Sequence, residues 1–288
     1  MNDYIIYTDS GCDISLEQLS EWGVPCDSLT YTFNGDPKEY SNYELPIEEF
    51  YGRMKKGEVA KTSAVNSETF KEGFEKYLKQ GLDILYIGFD SGISTTSNHA
   101  ILAAGELREK YPDRKLIAID TLCAAVGQGL LVKIAVDNKK AGMGIEENAD
   151  AIKELMPKIS HWFTVDDLIY LRRGGRVSKA SQIVGDFLDI KPVLHVDDEG
   201  KLIAMSKVRG RKKALKAIVN KYAELALDPA NGPLAIGHGD CKEDLEYIIS
   251  EFEKTCGVKP VLVSNVYAVI GAHTGPSIIV CCFPAKQR

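Results

Sequence analysis

The sequence predicts an α/β fold in two domains, a parallel-sheet α/β/α domain over residues 1–144 and a mixed-sheet α+β domain over residues 145–288. Three observations lead there. The chain has 288 residues, about twice the usual single-domain length. Its first half alternates β-branched runs with amphipathic stretches, the pattern of a parallel sheet covered by helices on both faces. Its second half carries hairpin punctuation instead, and Ala141-Gly-Met-Gly144 separates the two.

Tyr4–Thr8 reads as the first strand, and Ser15-Leu-Glu-Gln18 as a helix start that Gly23 and Pro25 stop. Leu29, Tyr31 and Phe33 alternate up to an Asn34-Gly35 turn. Pro46 suits the first turn of a helix with Ile47, Phe50 and Met54 on its inner face. Asn66 or Ser67 opens another with Phe70, Phe74, Tyr77 and Leu78 on one stripe, ended by Gly81. Strands at 83–89 and 115–119 each feed a helix. In the second half, helices are expected at 167–173, 178–188, 211–225 and 242–252. Residues 191–196 and 201–208 form a hairpin around Asp197-Asp-Glu-Gly200, and further strands are expected at 234–237, 261–270 and 278–283.

Composition narrows the function. Hydrophobic residues make up 44% and charged residues 26%, which suits a packed globular chain rather than a disordered one. A formal net charge of -6 argues against a dedicated nucleic-acid binder. The apolar run at 277–283 is far below the roughly 18 residues of a membrane span. The first residues lack a basic and then apolar leader, so a cytoplasmic location is expected. Seven cysteines without a C-x-x-C pair, and five histidines without ligand spacing, predict reduced thiols and neither a metal nor a cofactor. There is no phosphate-binding G-x-x-x-x-G-K-[ST], no H-E-x-x-H and no G-x-S-x-G. Gly127-Gln-Gly129 lies in a helical pattern, where close helix packing is the better reading than a dinucleotide fingerprint.

Small hydroxyl residues gather at the ends of predicted strands: Thr62 and Ser63, then Ser91, Ser94 and Thr95. Hydroxyls together with the free N–H groups of a helix start can hold a carboxylate or phosphate without a full counter-charge. Simple N-capping is the competing reading for either loop alone. Asp9, Asp90 and Asp120 sit in the same strand-end loops, beyond which open parallel sheets bind their ligands.

The order of these segments carries a resemblance. Thr8-Asp9-Ser10, Thr62-Ser63, Ser91-Gly-Ile-Ser94, Asp120-Thr121 with Gly127-Gln-Gly129, Tyr170-Leu-Arg-Arg-Gly-Gly-Arg-Val-Ser178, Ile190-Lys-Pro-Val193, Lys207-Val-Arg209 and Gly271-Ala-His-Thr-Gly-Pro276 closely resemble the DegV family across the whole chain. The resemblance implies a long-chain fatty acid held in a tunnel between the two domains. It also implies a non-catalytic role as the carrier subunit of a fatty acid kinase, presenting the carboxylate to a separate ATP-binding subunit that makes acyl phosphate. Thr62, Ser94 and His273 match the positions that hold the carboxylate; Arg172, Arg173, Arg176 and Arg209 fall in basic segments near the site mouth or partner surface. Two departures stand out. The first hydroxyl loop lacks the family's proline, reading Thr62-Ser-Ala-Val-Asn-Ser67, and Thr95 replaces the glycine after the key serine.

Two expectations follow for charge. A histidine beside a carboxylate gains a proton more readily, so His273 is expected to donate to the head group at neutral pH. Arg209, Arg211, Lys212 and Lys213, four cations within five residues, suit an acidic partner surface. The alternative to a carrier is an independent phosphotransferase or hydrolase acting on a small anion at the same loops, with Asp9 or Asp90 as base or metal ligand.

Overall fold

The computed structural model describes residues 3–176 and 189–288, so the helix expected over 178–188 lies outside the described residues. The chain opens with β1 (Tyr4–Asp9), a 3₁₀ turn at Ser10–Cys12, α1 (Leu16–Trp22) and β2 (Cys26–Asp27). The Ser15 side chain accepts from Gln18 N and Gly23 closes α1 with a left-handed φ of 67°, as the helix signals require. Next come β3 (Thr30–Phe33), β4 (Glu39–Ser41), α2 (Ile47–Lys55) and β5 (Ala60–Ser63), then α3 (Ser67–Leu78), β6 (Asp83–Gly88), α4 (Thr96–Lys110), β7 (Leu116–Asp120), α5 (Val126–Lys140) and α6 (Ile145–Leu155). The remainder is β8 (Ile159–Thr164), α7 (Ile169–Arg173), β9 (Ile190–Val196), β10 (Leu202–Arg209), α8 (Arg211–Leu225), β11 (Ala235–His238), α9 (Lys242–Cys256), β12 (Leu262–Asn265), α10 (Ala268–Thr274) and β13 (Ile279–Pro284).

Three sheets result. The first is parallel, in the order β2-β1-β6-β7. The second is mixed, β10-β9-β8-β13-β11-β12, with only the β11–β12 pair parallel. A small antiparallel sheet, β4-β3-β5, completes the set. Thr62 and Ser63 therefore sit in an edge strand of this small sheet and not in a loop beyond the parallel one.

The sheets are held together by α5. Nine of its residues are buried, including all of Val126–Val132, because it has the parallel sheet on one side and the mixed sheet on the other. A helical stretch without charge on any face belongs inside a core, and the charged residues of α5 begin only at Lys133. Glycines let it approach β8 on one side and the turn after β1 on the other. A Cβ on Gly127 would stand 2.1 Å from His161 Nε2 on β8, and one on Gly129 would stand 2.7 Å from the Cys12 carbonyl oxygen. Between them the buried Gln128 donates to Thr8 Oγ1 at 3.1 Å and to the Ile87 carbonyl at 3.3 Å, pinning the helix to β1 and β6. The Gly-Gln-Gly segment is thus a packing device.

Strand alternation sorts the mixed sheet. Phe163, Leu194, Val196, Val280 and Cys282 face α5, while Trp162, Val193, Ile279, Cys281 and Phe283 face α8 and α9. The parallel sheet has α3 and α4 on its other side, packed through Phe70, Phe74, Tyr86, Ala100 and Ala104. α6 lies against α5, β6 and β7, so the chain passes from the first sheet to the second between α6 and β8. One expectation needs correction. Residues 261–270 are not one strand but β12 followed by α10. The apolar Val266, Val269 and Ile270 were consistent with either; at helical spacing they turn inward against the neighbouring core.

The glycine approach generates a test with opposite signs. Alanine is the better helix former by about 1 kcal/mol, yet Gly127→Ala drives a methyl into His161 and should lower stability by roughly 1–3 kcal/mol in urea unfolding. Gly105 in α4 has nothing within 4 Å of a built Cβ. There Gly105→Ala should gain up to about 1 kcal/mol.

Candidate functional site

A cavity of about 580 Å³ opens between the carboxyl end of the parallel sheet and the inner face of the mixed sheet. Its walls are largely aliphatic and aromatic, with Phe89, Ile93, Phe163, Val196, Leu202 and Val280 among them. Four polar segments meet on it: Thr62 and Ser63 from β5, Ser91, Ser94 and Thr95 from the loop after β6, Arg176 from beyond α7, and His273 from α10. Seven of the ten hydroxyl, histidine and arginine candidates singled out from the sequence line this one space. The exceptions are Arg172, Arg173 and Arg209, all exposed, the first two on α7 and the last at the end of β10.

The loop after β6 is built on Asp90. Its carbonyl accepts from Ser94 N at 3.1 Å, and its carboxylate accepts from Gly92 N at 2.7 Å, a side-chain turn two residues long. Asp120 Oδ1 at the end of β7 accepts from Ser91 N at 3.2 Å. Ser94 Oγ lies 2.9 Å from Thr96 Oγ1 and accepts from Thr96 N at 3.3 Å, so Ser94 caps the start of α4 while facing the cavity. The two readings of the hydroxyl loops therefore coexist in this residue. Thr95 has φ −88° and ψ 2°, and with a negative φ the position does not demand the family's glycine.

His273 reaches the cavity from α10. The start of that helix is fixed by buried side chains the sequence reading passed over: Asp13 Oδ1 accepts from Tyr267 N at 3.0 Å and Asn42 Oδ1 from Val269 N at 2.7 Å. The Tyr51 hydroxyl donates to the Val266 carbonyl at 2.7 Å. The imidazole Nε2 then lies 2.8 Å from Thr62 Oγ1, joining α10 to β5. Its Nδ1 is buried without a hydrogen-bond partner among the described residues, and Gly174 packs so closely that a Cβ there would stand 2.1 Å away. Arg176 donates to the Gly174 carbonyl at 2.6 Å and to the Ile93 carbonyl at 3.4 Å, bridging α7's C-terminal turn to the hydroxyl loop.

In the chain by itself this environment works against a charged histidine. Burial, and then the nearby Arg176 guanidinium, push His273 down to about 4, so the ring is neutral at pH 7. It orients the Thr62 hydroxyl and does not bring a positive charge of its own. A smaller recess of about 340 Å³ shares Thr62, Arg176 and His273 with the cavity and adds Lys61 and Arg173.

Asp9 and Arg211 are tied into the fold. Asp9 is fully buried and accepts from the Tyr86 hydroxyl at 2.6 Å, Gly11 N at 2.9 Å and Phe89 N at 3.0 Å. Those bonds tie β1 to β6 and occupy the carboxylate that an acid–base reading would need. The basic run after β10 is divided. Arg211 pairs with Asp244 at 2.8 Å and donates to the Ser277 carbonyl, which takes it out of the proposed partner surface. Lys212 lies 5.3 Å over the Tyr247 ring, while Arg209 stays exposed.

The lowered value for His273 has a measurable sign. Its proton is bound more tightly in the unfolded chain, where the ordinary value is about 6.5, so stability is lost as pH falls from there toward 4. In NMR titration of the ligand-free protein the His273 ring signals should stay flat from pH 8 to about 5.5. His273→Gln should flatten the acid limb of the stability curve. A ring that titrates at 6 or above would remove this account of the site.

The chain matches the family model described as DegV, an uncharacterised protein family, over residues 4–285. A DegV domain-containing protein of Clostridium perfringens is 39% identical over 278 residues, covering 96% of this chain and 95% of that one. Among solved structures, a stearic acid-binding protein from Eubacterium ventriosum superposes with a TM-score of 0.87 at 28% identity, over 98% of each chain. A DegV lipid binding protein from Thermotoga maritima superposes with a TM-score of 0.86 at 28% identity, over 99% of each. With the family model spanning nearly its whole length, the chain belongs to the DegV family.

Proposed function

We propose that this protein binds one long-chain fatty acid, with the tail in the cavity between the sheets and the carboxylate on the hydroxyls of Thr62 and Ser94. The observation that carries the reading is the make-up of the cavity: about 580 Å³ of mostly apolar wall with the neutral donors brought to it from two separate sheets. A tail of about fourteen methylenes at roughly 0.8 kcal/mol each offers on the order of 10 kcal/mol on burial. The tail thus provides the affinity, and a few hydroxyls suffice to fix the head. Fatty-acid binding by relatives of the same fold supports the choice of ligand.

We propose further that the protein is not catalytic alone but presents its carboxylate to a separate ATP-dependent fatty acid kinase subunit, for acyl-phosphate formation in lipid metabolism. The recess lined by Lys61, Arg173 and Arg176 supports this, because it offers cations on a second side of the Thr62–His273 pair. A phosphoryl group arriving there would meet positive charge, while the resting carboxylate is held by neutral donors. Arg209, exposed at the end of an edge strand, is available to an acidic partner.

Extraction of the purified protein followed by mass spectrometry should release one equivalent of long-chain fatty acid. Thr62→Ala or Ser94→Ala should each weaken binding by roughly 1.5–3 kcal/mol, and the double variant by less than the sum, since both serve one head group. A double variant that binds palmitate like wild type would move the head group elsewhere. Reversing charge with Arg209→Glu should leave fatty-acid affinity unchanged and slow kinase-coupled acyl-phosphate formation, most visibly at low salt. An unchanged coupled rate would remove Arg209 from the partner surface.

A further inference from the structure

The β9–β10 hairpin forms part of the cavity wall through Val196, Lys201 and Leu202. Its tip, Asp197–Gly200, is a tight turn in which Gly200 N donates to the Asp197 carbonyl at 3.0 Å, and Glu199 N and Lys201 N donate to Asp197 Oδ1 at 3.0 and 2.9 Å. This tip rests on the hydroxyl loop, backbone against backbone. A Cβ on Gly92 would stand 2.4 Å from the Glu199 carbonyl oxygen, and one on Gly200, whose φ is 75°, would stand 2.0 Å from Asp90 Oδ1. Neither side of the contact tolerates a side chain. The hairpin and the loop that carries Ser94 are therefore closed on one another through Asp90.

Asp90 is itself unusual. It is fully buried, Oδ1 accepts from Gly92 N, and Oδ2 has no hydrogen-bond partner among the described residues. An ionised carboxylate so placed lacks solvation for one oxygen. A protonated one has no charge left to solvate. The charged and titratable groups facing it are Asp120 from the end of β7, Asp197 from the hairpin, Arg288 near the end of the chain and the Cys123 thiol. Only Arg288 favours the ionised form.

Building on the fatty-acid reading of the cavity, we propose that Asp90 is a positioning residue that latches the β9–β10 hairpin onto the Ser91–Ser94 loop, and that its ionisation loosens the latch and sets how fast the cavity exchanges its ligand. Burial, followed by Asp120 and Asp197, outweighs the Gly92 N–H bond and Arg288 and pushes the carboxyl up to about 7 in the closed state. In an opened hairpin it returns toward the ordinary value near 4. The closed state then binds the proton more tightly, so opening grows more favourable by up to roughly tenfold per pH unit between those values and levels off above about 7. Acid closes the cavity, and neutrality releases it.

The test is the off-rate of cis-parinaric acid, a naturally fluorescent long-chain fatty acid, displaced by excess palmitate in stopped flow from about pH 5.5 to 8. Wild type should release it several-fold to tens of fold faster at pH 7 than at 5.5, with a plateau above. Asp90→Asn keeps the shape and cannot ionise, so its release should be slow and independent of pH. Gly200→Ala, which forces the tip off Asp90 and strains a positive-φ position, should be fast throughout, with its rates compared below its lowered melting temperature so that they report on folded protein. A wild-type rate flat across this range, or an Asp90→Asn variant with the wild-type pH profile, overturns the latch. Either result leaves equilibrium binding intact, whereas failure to bind the probe at any pH would count against the fatty-acid reading itself.

Discussion

The buried N-terminal half of α5 constrains everything else in this molecule. The first two turns of α5, Val126–Val132, are buried on every side, so they are stable only with a sheet packed on each flank, and Gly127 and Gly129 set how closely β8 and the turn after β1 approach. The space left beyond its N-terminal end is the cavity, which Ala124 and Ala125 line. Ala125 takes a left-handed φ of 52° and Leu122 one of 49°, backbone positions that the surrounding packing must hold in place. The site is thus a consequence of two sheets sharing one helix, and it draws its lining from both.

The polar end of the cavity follows a second rule, that buried charge must be shared or neutralised. His273 is neutral through burial and its Arg176 neighbour, Asp9 is absorbed into three hydrogen bonds, and Ser94 divides its hydroxyl between the start of α4 and the cavity. What remains free to meet a carboxylate is a set of neutral donors with cations close by. Such an arrangement holds an anion without locking it in a buried ion pair, whose breaking would be strongly unfavourable.

Much of this was legible in the sequence because periodicity and capping act locally. The β-branched runs at 4–8 and 83–89, the Ser15 and Asn66 caps, and the Asp197–Gly200 hairpin all form as their residues demand. The hydroxyl residues were found by type, and the order of motifs marked the family. Contacts set by distant chain segments were not legible. Nothing near Thr62 in the sequence says that it pairs with His273, 211 residues away, or that its strand belongs to a small antiparallel sheet. Val266, Val269 and Ile270 suit strand and helix equally, and only the core around them decides. Arg211 looked like its exposed neighbours until Asp244 was placed beside it by the packing of α8 on α9. Gly92 and Gly200 lie far apart in sequence, and their mutual approach is a product of the assembled fold.

The central claim, that a fatty acid lies between the sheets with its head on Thr62 and Ser94, is tested most directly by anomalous diffraction from crystals grown with palmitate carrying a terminal bromine. The account predicts one bromine peak inside the cavity, against Phe163, Val196, Leu202 or Val280, with carboxylate density within hydrogen-bond reach of Thr62 and Ser94. A bromine peak beside those hydroxyls, or only on the outer surface of the molecule, would contradict it.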